Sequence, residues 1–347
     1  MPSRGPSIVA IAEAAGVSKT TVSSALHGRG RVAEATREKV LAVAREMGYR
    51  PNRMARSLRT RRTGTVGLVF SHFDTLYFTS LLSAVESAVS RQGLHLVVGA
   101  SQASPQKEQD LLEVLLEHGV DGLLVAPLDQ ETNADYFKAL QQQGVPLVML
   151  DTYLPRVPCD AAVTDNRRGG YLAGRRFAEL GRRQWALLGR GVLERVTSFR
   201  HRVEGYEQAA REAGVAQPAR LSAGELSLLP REYERAGYRA MQAYLESGAG
   251  LDALFALDDP MAQGAMRALR EAGRAVPGEV AVIGHDDLPM SEFSYPPLAS
   301  IHQPVPAMGE QAVALLLERI AAGGQNGQEP RRVFLEPSLV VRESCAG

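Results

Sequence analysis

Apolar residues recur along this chain with two different periods, and the change of period divides it. Over residues 7–48 the period is helical. Ile8, Ile11, Ala12 and Ala15 fall at helical spacing behind Ser7, whose hydroxyl suits the free amides at a helix start. Gly16 suits the left-handed residue that ends such a helix. Ser18 can then cap a second helix, from Lys19 to about His27, with Val22, Ala25 and Leu26 turned inward. Val40, Val43, Ala44 and Met47 stand at i, i+3, i+4 and i+7, which predicts a third helix from about Glu34 to Met47 that stops at Gly48.

Farther on, short apolar runs at 65–70, 94–100, 122–126 and 146–150 read as buried strands, with helices at 78–92, 105–118 and 135–143 between them. A second series starts near Ala161, with helices near 167–180, 202–213, 232–247 and 260–272 and strands near 184–188, 253–256 and 280–285. Strands alternating with helices of roughly 10–15 residues predict parallel, doubly wound sheets. About 280 residues exceed one comfortable core, so two subdomains are expected.

Charge sharpens the division. The chain carries 39 Lys and Arg against 39 Asp and Glu. Residues 1–63 hold 13 against 4, a net of +9, and the remaining 284 hold 26 against 35, a net of −9. A basic head on an acidic body is the footprint of a nucleic-acid-binding module. Lys19, Thr20, Thr21, Ser23 and Ser24 make the outer face of the second helix short and polar, as a helix entering a major groove must be. An ordinary three-helix bundle with a polar face is the alternative. It gives no reason to gather Arg50, Arg53, Arg56, Arg59, Arg61 and Arg62 beyond the third helix, where they can neutralise phosphates.

Pro51-Asn52 starts a two-turn stretch with Met54, Ala55 and Leu58 on one side. It is too short to be helical alone in water. Supported by DNA and by a second copy it can fold, with Leu58 an apolar wedge in the minor groove. A plain interdomain linker is the alternative. One short helix reads too few base pairs for specificity, so a homodimer on a palindromic operator is expected. Nothing after Arg342 has the pattern of a tetramerising heptad.

The chain resembles the lac repressor family of bacterial transcriptional regulators. Ala14-Ala15-Gly16-Val17-Ser18-Lys19-Thr20-Thr21-Val22-Ser23, Gly48-Tyr49-Arg50-Pro51-Asn52 and Ala55-Arg56-Ser57-Leu58 carry the resemblance most specifically. Thr63 to Val69, Val120 to Leu124, Thr164-Asp165-Asn166, Gly205-Tyr206, Asp259 to Ala262, Val282 to Asp287 and Ile301-His302-Gln303-Pro304 follow in the family's order, so the likeness runs from about residue 7 to 342. It implies a helix-turn-helix DNA-binding domain over 1–50 and a hinge helix and linker over 51–63. A periplasmic-binding-protein-like core for effector binding and dimerisation follows over 64–347. The core is expected as two α/β lobes, about 64–162 with 290–325 and about 163–289 with 326–342. Three crossings between them are expected, near Val163, 289–293 and 323–328. The implied DNA contacts are Ser18, Lys19, Thr20, Thr21, Ser23, Ser24, His27, Arg50, Asn52, Arg53, Ala55, Arg56, Leu58 and Arg59. The family often has Arg or His where Ser24 stands and Asn where His27 stands. Ser24 is too short for a long-range base contact, which leaves Lys19 and Thr20 as the chief readers.

In doubly wound sheets ligands bind beyond the carboxyl ends of the strands. Tyr77 and Phe78 follow the first strand and can offer an aromatic wall, or simply pack. Arg195, Thr197 and Arg202 follow 184–188, Phe255 lies in 253–256 and Asp258 follows it, and Asp286 follows 280–285. Arg202 stands three residues before Gly205-Tyr206, where the family usually places a ligand-clamping arginine; its guanidinium offers a rigid fork of donors. Asp286 and Asp258 are two-oxygen acceptors suited to vicinal hydroxyls. Asp259 and one of Asp165 and Asn166 read as helix caps. Arginine with carboxylates suits a sugar or sugar derivative. A nucleobase or nucleoside is the second reading, because 191–197 has some similarity to the purine-sensing branch.

Other chemistry has little support. Gly189-Arg190-Gly191 follows a strand, but Glu194 stands where a dinucleotide fingerprint needs its third glycine. There is no Walker A sequence and no G-x-S-x-G elbow. No histidine has zinc spacing, and His285 beside Asp286 and Asp287 reads as a strand-end residue rather than a metal or acid–base pair. No cofactor, metal or catalytic residue is expected, so an enzyme of sugar metabolism is a distant alternative. Met1–Pro6 opens no signal peptide, and no apolar run reaches a membrane span. Cys159 and Cys345 lie far apart and fit a reduced, cytoplasmic, nucleoid-associated protein rather than a secreted sugar-binding one. Trp185 reads as core.

Overall fold

The structure, a computed structural model, describes residues 6–26, 32–49, 62–128, 131–189, 195–224, 232–324 and 329–346. The chain divides into two compact units, Met1–Thr63 and Gly64–Gly347.

The first unit holds α1 (Ile8–Ala15), α2 (Lys19–Leu26) and α3 (Glu34–Glu46). Local chemistry sets their ends as the sequence predicts. Ser7 accepts from the Ala10 amide, Gly16 turns left-handed at φ 65°, and the Ser18 hydroxyl accepts from the Thr21 amide at 3.1 Å. Ile11, Ala12, Ala15, Val22, Ala25, Val40 and Ala44 close one small core. His27, Arg50, Asn52, Arg53, Ala55, Arg56, Leu58 and Arg59, and with them most of the expected hinge, lie outside the described residues.

The second unit carries two six-stranded sheets. The first is built from β1 (Thr65–Phe70), β2 (His95–Ala100), β3 (Gly122–Val125), β4 (Leu147–Leu150), β5 (Asp160–Thr164) and β11 (Arg332–Leu335), in the order β11-β5-β4-β3-β1-β2, all parallel. The second is built from β6 (Trp185–Gly189), β7 (Ala219–Ser222), β8 (Ala253–Ala256), β9 (Ala281–Asp286), β10 (Ala299–His302) and β12 (Ser338–Val340), in the order β12-β10-β9-β8-β6-β7. Only β12 runs antiparallel to its neighbour. Both sheets therefore reverse strand order beside their first strand, which opens a crevice at the carboxyl edge.

Helices α4 (Leu76–Arg91), α5 (Pro105–Glu117), α6 (Ala134–Gln142) and α12 (Val305–Ala321) accompany the first sheet, and α7 (Asn166–Glu179), α8 (Thr197–Glu212), α9 (Tyr233–Glu246) and α10 (Asp259–Glu271) the second. A short α11 (Pro289–Glu292) precedes β10. Glycines let helices of the second lobe approach closely: a Cβ on Gly170 would lie 1.9 Å from the Arg202 carbonyl oxygen, and one on Gly205 1.9 Å from that of Arg167. Trp185 stacks on Tyr206 in the core between α7 and α8.

Strand pairing corrects two of the expected crossings. The first falls near Val163, between β5 and α7. The second does not fall at 289–293, because β10 pairs with β9 and keeps the chain in the second lobe until Gln303-Pro304. The third does not fall at 323–328, because β11 pairs with β5 and the chain returns at Glu336-Pro337. The physical reason is edge pairing: β10 and β11 each extend a parallel sheet that already has a free edge. Helix α12 fills the core of the first lobe with Met308, Ala312 and Leu316, although the sequence pattern assigned it no element.

Candidate effector cleft

The loops after β1, β3 and β4 face the start of α8 and the loops after β8 and β9 across a cavity of about 230 Å³. Its first wall is aromatic and acidic. Thr75 caps α4 by accepting from the Phe78 amide at 3.1 Å, which sets Tyr77 and Phe78 on the first turn. Phe78 stacks on Phe70 with ring centroids 5.4 Å apart and meets Tyr77 edge-on. The Tyr77 hydroxyl donates to Asp151 Oδ1 at 2.5 Å. Asp151 follows β4 in the left-handed region, φ 66°. Burial raises its carboxyl to about 6 against the opposing pull of the Tyr77 hydrogen bond and the Arg202 charge. Burial and the neighbouring Asp151 charge push the Tyr77 hydroxyl well above the usual range.

The second wall centres on Arg202, which is 3% exposed. Helix α8 begins five residues earlier than the pattern predicted, so Arg202 sits on its second turn. Its Nε donates to Asn166 Oδ1 at 2.7 Å and its Nη1 to the Leu257 carbonyl at 2.6 Å, while Nη2 lies 3.8 Å from Asp286 Oδ1. Phe199 packs under the guanidinium, 5.1 Å from ring centroid to Cζ. Asp286 ends β9 at φ 105°, followed by Asp287 at φ 50°. This left-handed pair turns Asp286 into the cleft and Asp287 toward Arg342, 2.7 Å away. His285 Nδ1 lies 3.0 Å from Asp286 Oδ1, and Gln303 Nε2 donates to the same oxygen at 2.7 Å. Burial, and then the Arg202 charge, hold His285 well below its usual value, so the neutral ring donates through Nδ1.

Of the residues expected to contact ligand, Tyr77, Phe78, Arg202, Asp258 and Asp286 meet at this cavity. Three do not line it. Phe255 is fully buried within β8, packed between Tyr206 and His285. Thr197 is buried at the start of α8 and donates its hydroxyl to the Tyr153 carbonyl at 2.6 Å, a bond between the lobes. Arg195 is exposed outside the lining. The cap assignment at 258–259 reverses: Asp258 caps α10 by accepting from the Met261 amide at 2.8 Å. Asp259 is buried and accepts from Ser291, Ser300 and the Leu288 amide, holding the loop after β9. Asp165 caps α7, which frees Asn166 to orient Arg202.

The sequence assigns no cleft role to Asp151, Asn166 or Gln303. Thr164-Asp165-Asn166 and Ile301-His302-Gln303-Pro304 stand out as family patterns, the one signal for the last two. In the first unit Ser18, Lys19 and Thr20 are exposed, and Thr21, Ser23 and Ser24 half-buried. Among the described residues no group of three or more His, Cys, Asp or Glu could hold a metal ion, and no helix is long and apolar enough to cross a membrane.

A helix-turn-helix unit joined to two doubly wound lobes with a polar cleft at their switch points defines a ligand-responsive, DNA-binding regulator. Residues 7–52 match the family described as bacterial regulatory proteins, lacI family, and residues 175–345 match a periplasmic binding protein-like domain. The HTH-type transcriptional repressor PurR of Haemophilus influenzae (strain PittEE) is 35% identical over 336 residues, 96% of this chain and 97% of its own. The lac repressor dimer bound to operator and the anti-inducer ONPF superposes with a TM-score of 0.87 at 28% identity, covering 99% of this chain and 100% of that one. The transcriptional regulator CelR–cellobiose complex gives 0.71 at 31% identity, covering 98% and 99%. The chain belongs to the lacI family of bacterial regulatory proteins, and within it is a DNA-binding transcriptional repressor.

Proposed function

We propose that this repressor binds a palindromic operator as a homodimer and is switched by a small sugar or sugar derivative held in the cleft between its lobes. It acts in the cytoplasm, on the nucleoid, and catalyses no reaction. The observation that carries the effector reading is the pairing of an aromatic wall, Phe78 and Tyr77, with the polar groups of Arg202, Asp151 and Asp286 around one cavity. Aromatic faces suit the apolar side of a sugar ring, and carboxylates accept from its hydroxyls.

On DNA, Lys19 and Thr20 read bases from the exposed start of α2. Ser18, Thr21, Ser23, Ser24 and His27 lie beside them. Arg50, Asn52, Arg53, Ala55, Arg56, Leu58 and Arg59 complete the contact through the hinge. An effector moves the operator equilibrium only by binding two lobe arrangements with different affinity.

A thermal-shift series on the full chain with ribose, cellobiose, other neutral sugars, nucleobases and nucleosides tests the effector class. A rise in melting temperature with a sugar, coupled to a change in operator affinity, supports the reading. The likeness to the PurR repressors favours a nucleobase or nucleoside as the second reading, and a response confined to those compounds establishes it instead. Lys19→Ala is expected to weaken operator binding and reduce its salt dependence, measured by fluorescence anisotropy.

A further inference from the structure

Buried hydrogen bonds run in series from the cleft to the places where the chain changes lobe. Gln303 is the first residue after β10, at the second crossing, and is 1% exposed. Its Nε2 donates to Asp286 Oδ1 at 2.7 Å, and its Oε1 accepts from the Thr164 hydroxyl at 2.6 Å. Thr164 ends β5 at the first crossing and is equally buried. The Thr164 carbonyl accepts from Asn166 Nδ2 at 3.1 Å, and Asn166 Oδ1 accepts from Arg202 Nε. Arg202 Nη2 stands 3.8 Å from Asp286 Oδ1. The links therefore return to the carboxylate where they began.

The chemistry fixes the direction of this ring. A glutamine amide has one acceptor oxygen and a donor nitrogen. Turning it over would set Oε1 against the Asp286 carboxylate, two acceptors in a buried site, where an unmet polar atom is expensive. Thr164 and Asp286 are joined through one side chain with one workable orientation.

We propose that Gln303 is a positioning residue of the cleft: it holds Asp286 in place and ties that place to the first two crossings, so that movement at either crossing is felt at the cleft carboxylate. The proposal rests on the reading of the cleft as the effector site. It accounts for Gln303 and Thr164 being buried and paired although neither lines the cavity.

The test is hydrogen exchange on the full-length protein at the Asp287 and Leu288 amides, which bond to Ser300 Oγ and Asp259 Oδ2 and report on the loop that carries Asp286. Thr164→Val, on β5 in the other lobe, is expected to speed their exchange about five-fold, the effect of losing one ordinary hydrogen bond. Thr164→Ser, which keeps the hydroxyl, is expected to restore the original rates. In a Gln303→Leu background Thr164→Val is expected to add nothing. Unchanged exchange at Asp287 and Leu288 in Thr164→Val overturns the proposal, as do equal increments in both backgrounds. Gln303→Glu keeps the shape and sets a carboxylate against Asp286, so the same two amides are expected to exchange faster; unaltered rates there overturn it too. No effector enters these measurements, so failure of the sugar reading and failure of the relay are seen separately.

Discussion

The two walls of the cleft grow from sheets with the same strand order, yet they hold their polar groups differently. On the second wall Arg202, Asn166, Asp286 and Gln303 bind one another through short buried bonds, and the backbones of α7 and α8 nearly touch. The first wall sets the Tyr77–Asp151 pair among half-buried aromatics. A preset polar frame thus faces a more adaptable apolar one. A frame satisfied in advance loses little freedom when a ligand arrives, whereas an aromatic wall supplies area without demanding one hydrogen-bond pattern.

The contrast can be broken most directly at Arg202. Arg202→Ala strands Asn166 Oδ1 and the Leu257 carbonyl in a buried site and takes the facing positive charge from Asp286, and is expected to destabilise the protein by about 3–5 kcal/mol in urea unfolding. A loss under about 1 kcal/mol would falsify the idea of a preset frame.

Asp151 on the first wall has the opposite sign. Burial raises its folded value to about 6, above that of an unfolded aspartate. Its contribution is therefore fully present below about pH 4 and lost as pH rises through 6. Asp151→Asn is expected to gain up to about 3 kcal/mol above pH 6 and nothing below pH 4. Melting curves across pH 4–8 measure this, and a variant that keeps the wild-type pH dependence removes Asp151 as its source.

Helix packing sharpens the comparison at smaller scale. A Cβ at Gly170 meets the Arg202 carbonyl oxygen at 1.9 Å, whereas one at Gly309, in α12 of the first lobe, meets the Ala84 carbonyl carbon at 2.9 Å. Gly170→Ala is expected to lose about 2–3 kcal/mol and Gly309→Ala about 1, read from paired denaturant titrations. Equal losses would show that the second lobe is not the more tightly built. The smallest effect belongs to the cap of α7: Asp165→Ala is expected to lose about 1 kcal/mol. It leaves Asn166 in place, so effector affinity in calorimetry should hardly move.

Much of the fold and part of the cleft are legible in the order of the residues. Strands β1 and β8 have their expected bounds, because a buried strand between helices is a continuous apolar run. Ser7, Gly16 and Ser18 cap or end the helices that their chemistry implies. Tyr77, Phe78, Arg202, Asp258 and Asp286 are legible as cleft residues because they stand at or just beyond strand ends in a doubly wound fold. Phe255 lies one residue inside the end of β8, so its side chain joins the core under α7 and α8 instead of the cleft beyond the strand end. Asp258 and Asp259 exchange roles for a similar reason. Either could cap the helix, and the seryl hydroxyls that decide between them come from residues 291 and 300.

The sequence by itself determined the helix-turn-helix unit, the split of charge between head and body, the doubly wound pattern and the family. Each rests on neighbours within a few turns or on composition, where capping, periodicity and charge act locally. Only the tertiary structure decided where the chain crosses between lobes, why Asn166 and Gln303 matter, and that Asp151 faces Tyr77. Those outcomes depend on which free sheet edges β10 and β11 pair with, and on hydrogen bonds spanning 36, 74 and 139 residues of chain. Such contacts are chosen by three-dimensional closeness in a buried site, and no periodicity along the chain encodes them.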